Sequence, residues 1–261
     1  LRVSVTDRCD LRCVYCMKED TTFLPKKEIL TLEQIERLCD IFIGQGIKKI
    51  RLTGGEPLVR KNIMELIKNL GKKINKSNLK ELNLTTNGTL LDKYAYELKK
   101  NGIKRINVSL DTLNPDKYKK ITRLGNIEKA FNGIDAAIKN GIKIKINVVA
   151  LKNFNENELE EIFIWCGKKG VDITFIEVMP MGETEIHRFD QYMPLTNIKN
   201  YLEDKYSLED LKNRGPDEIR TLQNKNLLAG FTRLSINDIK TGSQPFKSLC
   251  GKYIIVFNGE I

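Results

Sequence analysis

A parallel α/β fold, a partial TIM-like (β/α)6 barrel with a small C-terminal cap, is what this 261-residue sequence predicts. Three observations carry that expectation. Short β-branched runs alternate with amphipathic helical stretches from residue 1 to about 180. Glycines recur where those helices should stop, and after Pro180 the alternation fades.

The strand candidates are Leu1–Thr6, Lys48–Thr53, Glu81–Thr86, Arg105–Leu110, Ile142–Leu151 and Asp172–Met179. Between them, Thr31-Leu32-Glu33-Gln34 reads as a capping box, and Asn62, Asp92, Asn114-Pro115, Asn126 and Asn155 are N-cap candidates. Gly46, Gly71, Gly102, Gly141 and Gly170 mark the expected helix ends. Right-handed crossovers leave a doubly wound sheet or a barrel as the main choices, and six units fall short of a closed barrel. In both, ligand chemistry belongs to the loops after the strands' C-terminal ends. We therefore expect a barrel domain over residues 1–180 and a cap over 181–261, the latter with one helix at Leu195–Lys205 and short strands at Gly230–Ile236 and Tyr253–Phe257.

Hydrophobic residues at 41% can build a sizeable core, and charged residues at 30% with regular apolar periodicity argue against disorder. No apolar run is long enough to span a membrane and the first residues lack a secretory layout, so a soluble, cytoplasmic protein without membrane association is expected. The first residue already sits inside a strand pattern, and residues are expected to extend past both ends. The net charge of +10 permits anionic partners, but the lysines are spread over mixed helix faces, so nucleic acid is an unlikely partner.

Three of the six cysteines crowd into Cys9-x3-Cys13-x2-Cys16, directly after the first strand. That distribution describes a ligand cluster and not a disulfide framework. Cys39 and Cys166 fall within amphipathic helices, where buried small hydrophobes are the plain expectation. Three thiolates on one loop can ligate three irons of a [4Fe-4S] cluster and leave the fourth iron open. Zinc would want a fourth ligand, and the single histidine, His187, is remote in sequence; a simple electron-transfer cluster would want a fourth nearby cysteine.

This spacing, with Tyr15 before the last cysteine, resembles the radical S-adenosylmethionine (SAM) superfamily. Thr53-Gly54-Gly55-Glu56-Pro57 resembles the superfamily's GGE motif, which receives the SAM amino group. Paired glycines permit close backbone approach and Glu56 supplies a counter-charge, although GGEP alone is an ordinary turn. Over Leu1–Gly182 the match narrows: LRVSVTDRCDLRCVYCM, FLPKKEILT, IRLTGGEPLVRKNI, LTTNGTLL, INVSLDTL, KINVV and FIEVMPMG occur in the order typical of the GTP 3′,8-cyclase family of molybdenum-cofactor biosynthesis, which are lyases.

The resemblance implies that Cys9, Cys13 and Cys16 hold the cluster and that Tyr15, Gly54, Gly55, Glu56, Ser109 and Met179 contact SAM. It implies that Arg2, Arg51, Thr85 and Lys145 line the side of a nucleotide substrate such as GTP, and that a reductant protein of flavodoxin or ferredoxin type supplies electrons. Arg2 and Lys145 also stand out physically, because a cation on an inner strand is costly to bury without an anionic partner, unless it snorkels to the rim. Thr85 and Ser109 have strand-to-helix support as their alternative.

The resemblance breaks towards the C-terminus. The family holds a second cluster there, whereas Pro245–Ile254 retains only Cys250, with Lys247, Lys252 and Ile254 at divergent positions; Thr174 stands where the family usually has Arg. Alternatives to cyclization are thus adenosyl-radical chemistry on another nucleotide, a sugar or a peptide, a degenerate cyclase, or a non-catalytic iron–sulfur sensing module.

Overall fold

The computed structural model describes residues 1–178 and 188–206, and within 207–261 only the strand backbones 218–224, 227–233, 246–247 and 254–255. Six parallel strands form one sheet: β1 (Arg2–Ser4), β2 (Lys49–Thr53), β3 (Glu81–Thr86), β4 (Arg105–Ser109), β5 (Lys143–Ala150) and β6 (Asp172–Glu177). Their spatial order is their sequence order. A doubly wound sheet would reverse direction at a switch point; this one never does, so every crossover packs its helices on the same side and the sheet is an open partial barrel.

The connecting helices are α1 (Leu32–Gly44), α2 (Ile63–Gly71), α3 (Leu91–Lys100), α4 (Pro115–Thr122), α5 (Ile127–Lys139) and α6 (Leu159–Lys169). Alternation along each strand sends Ile50, Leu52, Leu82, Leu84, Ile106, Val108, Ile144, Ile146 and Val148 into the core under these helices, all essentially solvent-free. Each such side chain contributes roughly 1.5–3 kcal/mol by leaving water. Cys39 and Cys166 are buried in that same layer, as small hydrophobes.

Local chemistry explains three of these six helix starts. Thr31 and Gln34 exchange reciprocal capping bonds at 3.2 and 2.8 Å, and the side chains of Asn114 and Asn126 cap α4 and α5. The other cap expectations fail. Asn62 adopts a left-handed conformation without a side-chain cap, and Asp92 lies inside α3. Asn155 is fully buried and staples the ends of β4 and β5, donating to the carbonyls of Asp111 and Val149 and accepting from Leu151 N–H. Gly71 is needed for space, since a Cβ there would sit 2.1 Å from the Asn101 carbonyl.

The strands match expectation with shorter ends; β6 stops at Glu177, and Met179 lies outside the described residues. Helices α7 (Arg188–Gln191) and α8 (Leu195–Lys205) follow, then the antiparallel pair β7 (Glu218–Asn224) and β8 (Leu227–Arg233), and the short pair β9 (Phe246–Lys247) and β10 (Ile254–Ile255). Sequence pattern missed α7, β7 and β9. The chain forms two compact units, Leu1–Tyr201 and Leu202–Ile261. The first extends beyond residue 180 because Glu177 accepts from Leu195 N–H and Tyr201 donates to Glu160. Among the described residues, no helix is long and apolar enough to cross a membrane.

Candidate active site

At the C-terminal end of the strands, the loop carrying Cys9, Cys13 and Cys16 is clamped from several sides. From β2, Gly55 N–H donates to Thr6 O and Glu56 N–H to Arg8 O, each at 2.8 Å. A Cβ on Gly55 would lie 2.3 Å from Arg8 O, and one on Gly54 2.5 Å from Thr6 O, so two glycines are required simply to seat the cysteine loop. From β3, Asn87 and Thr89 donate to the two carboxylate oxygens of Asp10, at 2.7 and 2.6 Å. From the end of α4, Thr122 O and Ile121 O accept from Arg12 and Val14 N–H, while Arg123 reaches the carbonyls of Arg12 and Met17.

Glu56 is the hub of this clamp. It is 1% exposed, and its carboxylate accepts from Leu58 N–H at 2.9 Å, Thr86 hydroxyl at 2.8 Å and Asn87 N–H at 2.7 Å. Burial raises its carboxyl to about 7, and those three donors pull the other way. Its oxygens are thus engaged with the loops that frame the cysteines.

Tyr15 is held similarly. Its hydroxyl donates to Asp111 at 2.6 Å, and the other Asp111 oxygen accepts from Val149 N–H at 2.7 Å. Burial raises Asp111 to about 6 and pushes the Tyr15 phenol well above its ordinary value, with the Asp111 charge adding to the effect on Tyr15. Val14 and Tyr15 also pack on the apolar cluster of Ile121, Leu151 and Val178.

Burial drives the Cys9 thiol up to about 12, against Leu11 N–H, which donates to its sulfur; Cys13 is raised by burial and then by the charge of Asp111. Cys16 is exposed. No three His, Cys, Asp or Glu groups among the described residues converge to hold one metal ion. Cys9, Cys13 and Cys16 lie near enough to act on one another electrostatically, and three thiols on one loop suit a polynuclear iron–sulfur centre, each sulfur taking a different iron.

The sheet's inner face supplies the second half of the site. Register places Arg2 beside Arg51 and Arg51 beside Asn83; Thr85 beside Asn107 and Asn107 beside Lys145; and Ser109 beside Asn147 and Asn147 beside Thr174. All nine side chains share the face opposite the helix-covered core. A parallel sheet buried on both faces is ordinarily apolar throughout, so a polar inner face is a departure. Arg2, Arg51, Thr85, Ser109 and Lys145, singled out in the sequence, all lie here; Arg2 is exposed and Lys145 is 9% exposed. Sequence reasoning missed Asn83, Asn107 and Asn147, and also Asp10, Asn87, Thr89, Asp111 and Asn155. The available signal was their position: polar residues at strand ends or in alternation along a strand.

Residues 3–166 match the Radical SAM superfamily model, and residues 196–261 match the Glutamine amidotransferase domain model. A protein named GTP 3′,8-cyclase from Sinorhizobium medicae is 58% identical over 214 residues, 82% of this chain and 61% of that protein. Its namesake from Brucella canis is 54% identical over 233 residues, 88% of this chain and 68% of that protein. Among solved structures, anSMEcpe with bound AdoMet is similar with a TM-score of 0.59 at 20% identity, over 78% of this chain and 55% of that one. The hydrogenase maturase HydG is similar with a TM-score of 0.61 at 21% identity, over 77% of this chain and 48% of that one. These structures share the partial-barrel fold.

The amidotransferase match changes the meaning of Pro245–Ile254. Lys247, Lys252 and Ile254 fall within the residues that match the Glutamine amidotransferase domain model.

Proposed function

This chain belongs to the radical SAM superfamily and, over its barrel, to the GTP 3′,8-cyclase family, and on that premise we propose that it abstracts hydrogen from a nucleotide, GTP first among candidates, as a lyase of molybdenum-cofactor biosynthesis. The reading rests on residues 1–178, since the chain spans only 61% of the S. medicae relative. One observation carries it: the five strand residues matched to SAM and nucleotide contacts share the polar inner face, at the end of which the cysteine loop is clamped.

When bound, a [4Fe-4S] cluster and SAM supply reductive carbon–sulfur cleavage and a 5′-deoxyadenosyl radical. Cys9, Cys13 and Cys16 would hold the cluster, and three thiols would leave one iron without a cysteine ligand. Tyr15, fixed by Asp111, and Gly54, Gly55 and Ser109 border the SAM side, and Met179, outside the described residues, is assigned to it by the family resemblance alone. Glu56 acts by holding the loops of Leu58, Thr86 and Asn87 in register. Arg2, Arg51 and Lys145 balance phosphate charge, Arg by bidentate donation and Lys as a point charge, and Thr85 adds a hydroxyl. The electron comes from a low-potential reductant protein of flavodoxin or ferredoxin type, in the cytoplasm.

The test is anaerobic reconstitution with iron and sulfide, iron counting, and assay of 5′-deoxyadenosine after dithionite and SAM. About four irons and deoxyadenosine formation are expected. A stable cluster without deoxyadenosine would contradict the reading and favour a sensing module.

A further inference from the structure

The inner face carries more polar side chains than the proposed contacts use. Asn83 lies beside Arg51, Asn107 between Thr85 and Lys145, and Thr174 beside Asn147. Asn83 is 4% exposed and Asn107 is 7% exposed. Both Asn83 Oδ1 and Thr174 Oγ1 are enclosed, yet neither finds a hydrogen-bond partner among the described residues.

The fold gives these atoms no reason to be polar. Their neighbours along the strands, Leu82, Leu84, Ile173 and Phe175, alternate to the opposite face, and an apolar side chain of asparagine's shape would spare β3 an unsatisfied amide. Two such atoms, on strands as far apart as β3 and β6, lie on the same face of the sheet. An amide also offers what the cations beside it lack: Arg and Lys only donate, whereas Asn both donates and accepts and so discriminates ligands by hydrogen-bond pattern.

We infer that Asn83, together with Asn107 and Thr174, is a specificity-determining contact, making neutral hydrogen bonds to a phosphorylated, hydroxyl-bearing ligand whose charge Arg51 and Lys145 balance. The inference rests on the proposed use of the inner face as the substrate site. Asn83 completes its hydrogen bonds only when ligand is bound, so its contribution is to binding and not to the stability of the free protein.

The experiment is Asn83→Leu in the full chain, with GTP as calorimetric probe and the ligand-free melting temperature measured in parallel. At least a tenfold rise in the GTP Kd is expected, with a melting temperature equal to or above that of the wild type. An unchanged Kd, or no measurable GTP binding by the wild type, overturns the inference. Should Asn83→Leu not fold, Asn107→Leu carries the test by the same criterion on GTP Kd. Dithionite-driven SAM cleavage without GTP is scored separately on wild type: its absence sinks the radical reading and leaves the affinity comparison standing, whereas normal cleavage with unaltered GTP affinity in the variant overturns this inference alone.

Discussion

The cysteine loop and the inner face of the sheet are both polar, but the three carboxylates that clamp the loop and two polar atoms of the face are treated in opposite ways, with Asp7 Oδ1 at the start of the loop as an enclosed exception. Around the loop, Glu56, Asp10 and Asp111 each have both carboxylate oxygens accepting hydrogen bonds from neighbouring turns. On the inner face, Asn83 Oδ1 and Thr174 Oγ1 are enclosed and left over. A satisfied network fixes a geometry in advance; an unsatisfied one is completed by something else. The contrast separates a framework that presents three thiols from a surface that receives a ligand.

The largest effect should come from removing a framework sulfur. Cys13→Ala is expected to abolish four-iron absorption and deoxyadenosine formation together, because two thiols cannot retain the open-iron arrangement; wild-type-like turnover would contradict it. Gly55→Ala comes next. Its Cβ would meet Arg8 O at 2.3 Å and Asp7 O at 2.7 Å, backbone atoms that cannot yield without breaking the Gly55–Thr6 and Glu56–Arg8 bonds. A loss of about 1–3 kcal/mol in denaturant unfolding, with reduced iron content, is expected.

Glu56→Gln should cost a comparable or smaller amount, about 1–3 kcal/mol, since an amide NH2 cannot accept from all three donors that converge on the carboxylate. Its pH signature is the finer test. The folded carboxyl sits near 7, above its ordinary 4.5, so the folded state binds the proton more readily than the unfolded. Glu56 therefore contributes most stability below its unfolded value and loses it as pH rises through the folded one. The melting-temperature gap between wild type and Glu56→Gln should be wider at pH 5 than at pH 8, and a gap that narrows in acid would refute the assignment. Asp111→Asn should show the smallest effect of the same sign, because Asp111 is raised to about 6.

Much of this was legible in the sequence because the relevant signals are local. The capping box at Thr31–Gln34, the β-branched runs and the Cys9–Cys13–Cys16 spacing depend on neighbours within a turn or two, and the structure reproduces the six strands with only their ends trimmed. Barrel against doubly wound sheet was not local: it turned on spatial strand order. Nor was the role of Glu56, whose donors Thr86 and Asn87 are about thirty residues away, or the partnership of Tyr15 with Asp111. Asn155 read as a helix cap because asparagine at a helix start normally is one; its real bonds span the β4 and β5 ends. The C-terminal stretch was least legible: it departs from the cyclase pattern, and residues 196–261 also match a second family model.

The two-region account is tested most directly by deoxyadenosine yield in wild type and Arg51→Ala, each reconstituted and assayed with dithionite and SAM, with and without GTP. The account predicts that Arg51→Ala, with an intact cysteine framework, retains basal SAM cleavage close to wild type but loses stimulation by GTP. Basal cleavage that collapses with Arg51, or GTP stimulation that survives its removal, would contradict the separation of framework from receiving surface.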